Sequence, residues 1–183
     1  MINFLFIFFC FVLDCLLASF FPVDFSYQSV FFISQFSFMG LLLVSKRLTV
    51  TSLIRWAFII GIIQDVFNGG HLFMSCGMNL LMLMLYRYWA INLSGSIIEE
   101  VILLTSLVFV KESMLFFLYK LLGVISMTYG TFFVYRLFLT CLLAPFSAFI
   151  LYIINGFTSD WIDSKKRYQD ANDNLFGHQF KNK

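Results

Sequence analysis

The chain of 183 residues is 61% hydrophobic and only 12% charged, with a mean hydropathy of +0.89 and 26 phenylalanines. Soluble domains carry about a quarter of their residues as Asp, Glu, Lys or Arg, so this chain has too little polar side chain to coat a water-soluble globule. Its net charge of +2 comes without a basic cluster interleaved with exposed aromatics, which speaks against a nucleic-acid partner. The composition is that of a polytopic integral membrane protein.

A bilayer core about 30 Å thick takes roughly 20 apolar residues per helix, and six runs qualify. The first, 3–21, ends at "PVD"; it lacks a basic n-region, contains Asp14 and has no A-x-A signature, so it does not read as a cleaved signal peptide. The second, 25–45, stops at Lys46 and Arg47. The third, 52–68, runs into Asn68, Gly69 and Gly70, and the fourth, 71–90, closes on the cluster "YRYW". The fifth spans 97–119. The sixth, 131–156, contains Pro145. Residues 1–156 therefore form an all-α transmembrane domain, a six-helix bundle. Residues 157–183 form a polar tail, expected to be exposed and in part disordered beyond Arg167.

Lys and Arg near helix ends set orientation. With both termini inside, the inner connections and the tail hold Lys46, Arg47, Arg55, Arg87, Lys165, Lys166, Arg167, Lys181 and Lys183, while Lys120 and Arg136 fall within helices. That asymmetry predicts N-in, C-in. The connections are too short for a soluble catalytic domain, so activity must lie between helices.

Small and polar residues recur at helical spacing, which places them on single faces. They are Ala57, Gly61, Asp65 and Asn68 in the third helix, with Gln64 beside them, and Ser75, Asn79 and Tyr86 in the fourth. In the sixth they are Arg136, Thr140, Ala144, Ser147 and Asn155. Such stripes are the usual packing seams of membrane helices. Ionisable residues inside spans ask for more, because a charge in hydrocarbon costs roughly 3 kcal/mol on insertion scales and normally pairs or lines a cavity. Asp14, Asp65, Lys111, Glu112 and Arg136 belong to this group. Lys111 and Glu112 point about 100° apart on a helix, so each is expected to meet a different neighbour. Asp65 has two readings: a salt bridge with Arg136, or a cap on a helix end near water beside Asn68 and Gly69. Glu99 and Glu100 read as solvated interfacial charges. Tyr86, Tyr88 and Trp89 read as an aromatic belt, and Lys165–Arg167 as an anchor or an anionic-lipid contact.

Enzyme templates are missing. The sequence has no Ser–His pair, no acid pair of fixed spacing, no Gly-rich phosphate loop, and no metal-ligand spacing involving His71 or His178. Cys10, Cys15, Cys76 and Cys141 lie in apolar runs and read as small buried hydrophobes. No catalytic residue, metal or cofactor is expected.

The stretch "WAFIIGIIQDVFNGGHLFMSCGMNLLMLMLYRY", 56–88, resembles the segment of the MreD family of bacterial rod shape-determining membrane proteins in which Gly, apolar residues, Asp and a Gly-containing turn lead into the next helix. Gly61, Asp65, Gly69 and Gly77 occupy those positions. The run 136–154 resembles that family's last helix through Arg136, Thr140, Ala144 and Pro145. The resemblance implies a fold similar to the substrate-binding components of energy-coupling-factor vitamin transporters. It also implies a non-enzymatic role in peptidoglycan elongation at the inner (cytoplasmic) membrane. Implied partners are MreC directly, and MreB, RodA and a class B penicillin-binding protein indirectly. Gly61, Asp65, Gly69, Asn79, Arg136, Thr140 and Pro145 are the candidate structural or partner-contact residues. Because fold does not fix function, a vitamin-binding transporter component is the competing expectation. It needs a polar pocket lined by Asp65, His71, Asn79 and Arg136, and a small-residue seam on the first helix, for which only Cys15 and Ser19 are spaced correctly.

Overall fold

The computed structural model describes residues 2–20, 32–67, 73–91 and 96–180. Among these, every regular element is helical. The order is α1 (Ile2–Phe20), α2 (Phe36–Val44), α3 (Val50–Phe67), α4 (Met74–Ala90), α5 (Ile97–Leu121), α6 (Tyr129–Phe132), a π-helical segment (Phe133–Leu137) and α7 (Phe138–Phe180). The last three join without a break, so the bundle has six helical columns. Three of them, α1, α5 and Tyr129–Lys165, are long and apolar enough to cross a membrane. Large apolar side chains face outward along these columns, among them Phe4, Phe8, Phe117, Phe146 and Phe149. Exposed apolar surface on this scale marks an interaction with membrane or protein.

The core forms around the shortest element. Every residue of α2 from Ser37 to Val44 is buried, as expected of a helix apolar on all sides. It packs against α1, α3, α4, α5 and α7. At nine residues it rises only about 13 Å, shorter than the run expected over 25–45. Residues 32–35 are not helical, and 21–31 lie outside the described residues. The helix begins at Phe36 because Asp14 of α1 caps it across the interface. Its carboxylate accepts the amides of Phe36 at 2.8 Å and Ser37 at 2.7 Å, and also the Ser37 hydroxyl. Gly40 lets α1 approach α2, since a Cβ there would sit 2.7 Å from Cys10 Sγ.

The α3–α4 hairpin is built in the same way. Asp65, near the end of α3, accepts the Ser75 amide in the first turn of α4 at 3.0 Å. At Gly61 a Cβ would lie 2.5 Å from Cys76 Cα, so only glycine permits this approach. Phe73 enters α4 with φ 73°, a left-handed conformation that L-residues with bulky side chains rarely adopt. Its ring packs on Phe58, 5.8 Å between centroids.

α5 closes with a Schellman motif. The Gly123 amide donates to the Lys120 carbonyl at 3.1 Å and the Val124 amide to Tyr119 at 3.0 Å, with Gly123 at φ 71°. At its far end α7 does not stop near 156 but continues as helix to Phe180. Early in this polar segment an (i, i+4) contact supports the helix, with Lys165 Nζ lying 4.5 Å from the Trp161 ring centroid.

Candidate functional site

Polar side chains gather at two levels of the bundle. Glu100 and Lys111 mark them on α5, about 16 Å apart by helical rise.

At the first level a hydrogen-bonded chain runs across the bundle. Asn79 of α4 donates to Gln64 Oε1 of α3 at 3.1 Å, and Lys111 Nζ of α5 donates to the same oxygen at 3.0 Å. Lys111 also donates to Gln35 Oε1 at 2.9 Å, just before α2, and lies 4.1 Å from the Phe38 ring centroid. Gln35 Nε2 then donates to Glu112 Oε1 at 2.7 Å. Glu112 Oε2 receives Arg136 through Nη2 at 2.9 Å and Nε at 3.1 Å. Lys111 and Glu112 are each only 1% exposed. Charges so buried survive when paired and hydrogen-bonded, and here one glutamine serves both. Its carbonyl takes the lysine and its amide feeds the glutamate, so neighbours pointing about 100° apart share Gln35.

This pairing replaces the expected salt bridge between Asp65 and Arg136. Arg136 sits in the π-helical segment, beside α5, and engages Glu112. Asp65 turns instead to the start of α4, where it caps a helix but is buried and not near water, while Asn68 and Gly69 lie outside the described residues. Thr140 Oγ1 donates to the Arg136 carbonyl at 2.9 Å and accepts the Ile33 amide at 3.4 Å. Gly61 and Asn79 lie on the α3–α4 seam, whereas Gly69 and His71 fall outside the described residues. Pro145 borders an open apolar groove of 390 Å³ between α5 and α7, with Ile102, Thr105, Ser106, Phe109 and Cys141. Two acceptors at this level, Asp65 Oδ2 and Asn79 Oδ1, are buried without a hydrogen-bond donor.

The second level corrects two expectations. Glu100 is 2% exposed, not solvated: Lys46 Nζ meets its Oε2 at 2.7 Å and the Tyr86 hydroxyl donates to its Oε1. Tyr86 is accordingly a core residue, while Tyr88 and Trp89 face outward. Nearby, Arg47 Nη2 donates to the Asn155 backbone carbonyl at 3.2 Å. Adjacency in sequence concealed which of Glu99 and Glu100 turns inward, although Glu100 shares a helix face with the buried Leu103, Leu104 and Leu107.

Among the described residues no group of three or more His, Cys, Asp or Glu is arranged to hold a metal. The four cysteines carry free thiols. Comparison with protein-family models, with curated proteins and with solved structures returns no match.

Proposed function

We propose that the chain is a non-enzymatic scaffold of the bacterial inner (cytoplasmic) membrane. It binds MreC within the cell-elongation machinery for peptidoglycan, and through it MreB, RodA and a class B penicillin-binding protein. One observation carries the reading: the buried Lys111, Glu112 and Arg136 are held in one hydrogen-bonded chain with Gln35, Gln64 and Asn79, which ties α3, α4, α5, the start of α2 and the last column together. Groups held this way cement a bundle, and recognition then falls to the lipid-facing surface. The α5–α7 groove supplies apolar walls and two hydroxyls, Thr105 and Ser106, for a partner's transmembrane helix. Docking in a membrane relies on close packing and interhelical hydrogen bonds. The resemblance of 56–88 and 136–154 to the MreD family supports the same reading.

Depletion in the native cell with imaging, coupled to pull-down of MreC, tests it. Loss of cell-shape control with MreC recovered is the expected outcome. Normal morphology with no MreC captured removes the proposal.

A vitamin-binding transporter component is the second reading, favoured by one feature: the buried, donor-lacking Asp65 Oδ2 and Asn79 Oδ1. Thermal stabilisation by a vitamin would put it first.

A further inference from the structure

We infer that the cavity enclosed by the α2–α3 connection, the start of α5 and the distal turns of α7 binds a phosphoethanolamine group, the headgroup of a zwitterionic phospholipid. This rests on the membrane reading above. The cavity measures 240 Å³ and is lined by Lys46, Arg47, Glu100, Tyr152, Asn155 and Ser159, among others. Ligand pockets for drug-sized molecules start at about 300 Å³, so it holds a headgroup and leaves the acyl chains outside.

The chemistry of its walls is two-sided. Lys46 and Tyr86 satisfy Glu100. Arg47 gives one nitrogen to the Asn155 carbonyl, which sets these two residues side by side. What is left over is a matched pair: Arg47 Nη1 is buried with no acceptor, and Asn155 Oδ1, on a residue 9% exposed, is buried with no donor. Buried polar groups in folded proteins are nearly always partnered. A phosphate satisfies the guanidinium but not the amide oxygen; a phosphate carrying a primary ammonium satisfies both. Burial pushes the Arg47 guanidinium below its ordinary pKa, while the nearby Asp163 and Asp160 carboxylates act the other way. Those acids weigh against a purely anionic headgroup and favour one with an ammonium.

Position agrees with the chemistry. α7 changes from apolar sequence to "TSDWIDSKKR" at this level, where Trp161 stands exposed, as do Tyr88 and Trp89 in the last turn of α4. Aromatic rings of this kind sit at headgroup depth.

The test uses the full chain purified in detergent. Retention is read by native mass spectrometry and thermal unfolding with phosphatidylethanolamine, phosphatidylglycerol and phosphatidylcholine of matched acyl chains. Phosphatidylethanolamine is expected to bind about tenfold or more tightly than the other two, the size of a lost charge-assisted hydrogen bond. Asn155→Leu, which removes the acceptor that only the primary ammonium meets, removes the preference. So does Ser159→Phe, which fills the cavity without touching a charge and serves where the first variant fails to fold. Soluble glycerophosphoethanolamine separates the sources: competition shows that the group alone suffices, and failure to compete assigns the membrane lipid. Binding of the soluble compound by a chain that does not partition into vesicles would sink the membrane reading and leave the site. Equal retention of all three lipids, or unchanged preference in both variants, overturns the inference.

Discussion

Lys111 is where the polar chain crosses from α3 to the start of α2, and it has no route to solvent. Lys111→Met strips the donor from Gln35 Oε1, leaves Gln64 Oε1 with Asn79 alone, and leaves Glu112 with less compensating charge. Breaking a buried charge network by removing one member costs about 3–5 kcal/mol, to be seen as a large drop in thermal midpoint in detergent. Two glycines give a sharper contrast. Gly61→Ala drives a methyl into the Cys76 backbone, an overpacking worth about 1–3 kcal/mol. Gly77→Ala meets nothing within 4 Å and is expected to stabilise α4 by about 0.5–1 kcal/mol. Phe73→Asn relieves a left-handed backbone costing about 1–2 kcal/mol but gives up a ring contact on Phe58 worth about 0.5–1.5 kcal/mol, so its midpoint is expected to stay near the parent's. All these changes are read from the same unfolding curves. Gly61 was legible in the sequence as part of a small-residue seam. Phe73 was not, since nothing in a bulky aromatic announces a positive φ.

Two helix starts are capped from a neighbouring column and not by their own sequence. Asp14 accepts two amides and a hydroxyl at α2, whereas Asp65 accepts one amide at α4. Loss of a cap costs about 0.5–2 kcal/mol, so Asp14→Ala should cost more than Asp65→Ala. Hydrogen exchange locates the damage: Phe36 and Ser37 lose protection in the first variant and Ser75 in the second. Equal loss at both starts in either variant would contradict the assignment. The periodic faces of α3, α4 and α7 could be read from spacing alone, and Ala57, Asp65, Asn79, Thr140 and Ala144 are all buried. The short α2 could not, because its start is set by a carboxylate 22 residues earlier in the chain. Gln35 was hidden for the same reason. Nothing local distinguishes a glutamine in a connection from one that joins two charges on α5.

Across the whole molecule, the six columns bury ionisable groups at two levels and turn Phe, Leu and Ile outward. The cation asymmetry predicts that both ends of the chain face the cytoplasm, and labelling of engineered cysteines at Ser52 and Ser164 should reach both sites from that side only. The central proposition is that the buried charges provide cohesion, with no chemistry of their own. The most direct measurement is the doubly neutral variant Glu112→Gln with Arg136→Met, scored for unfolding temperature and MreC capture beside each single change. Replacing a buried ion pair by well-packed neutral groups is often neutral or stabilising, while removing one partner is not. The single Arg136→Met is therefore expected to unfold early, and the double variant to recover stability and capture MreC as the parent does. A double variant that is as stable as the parent yet captures no MreC would contradict it.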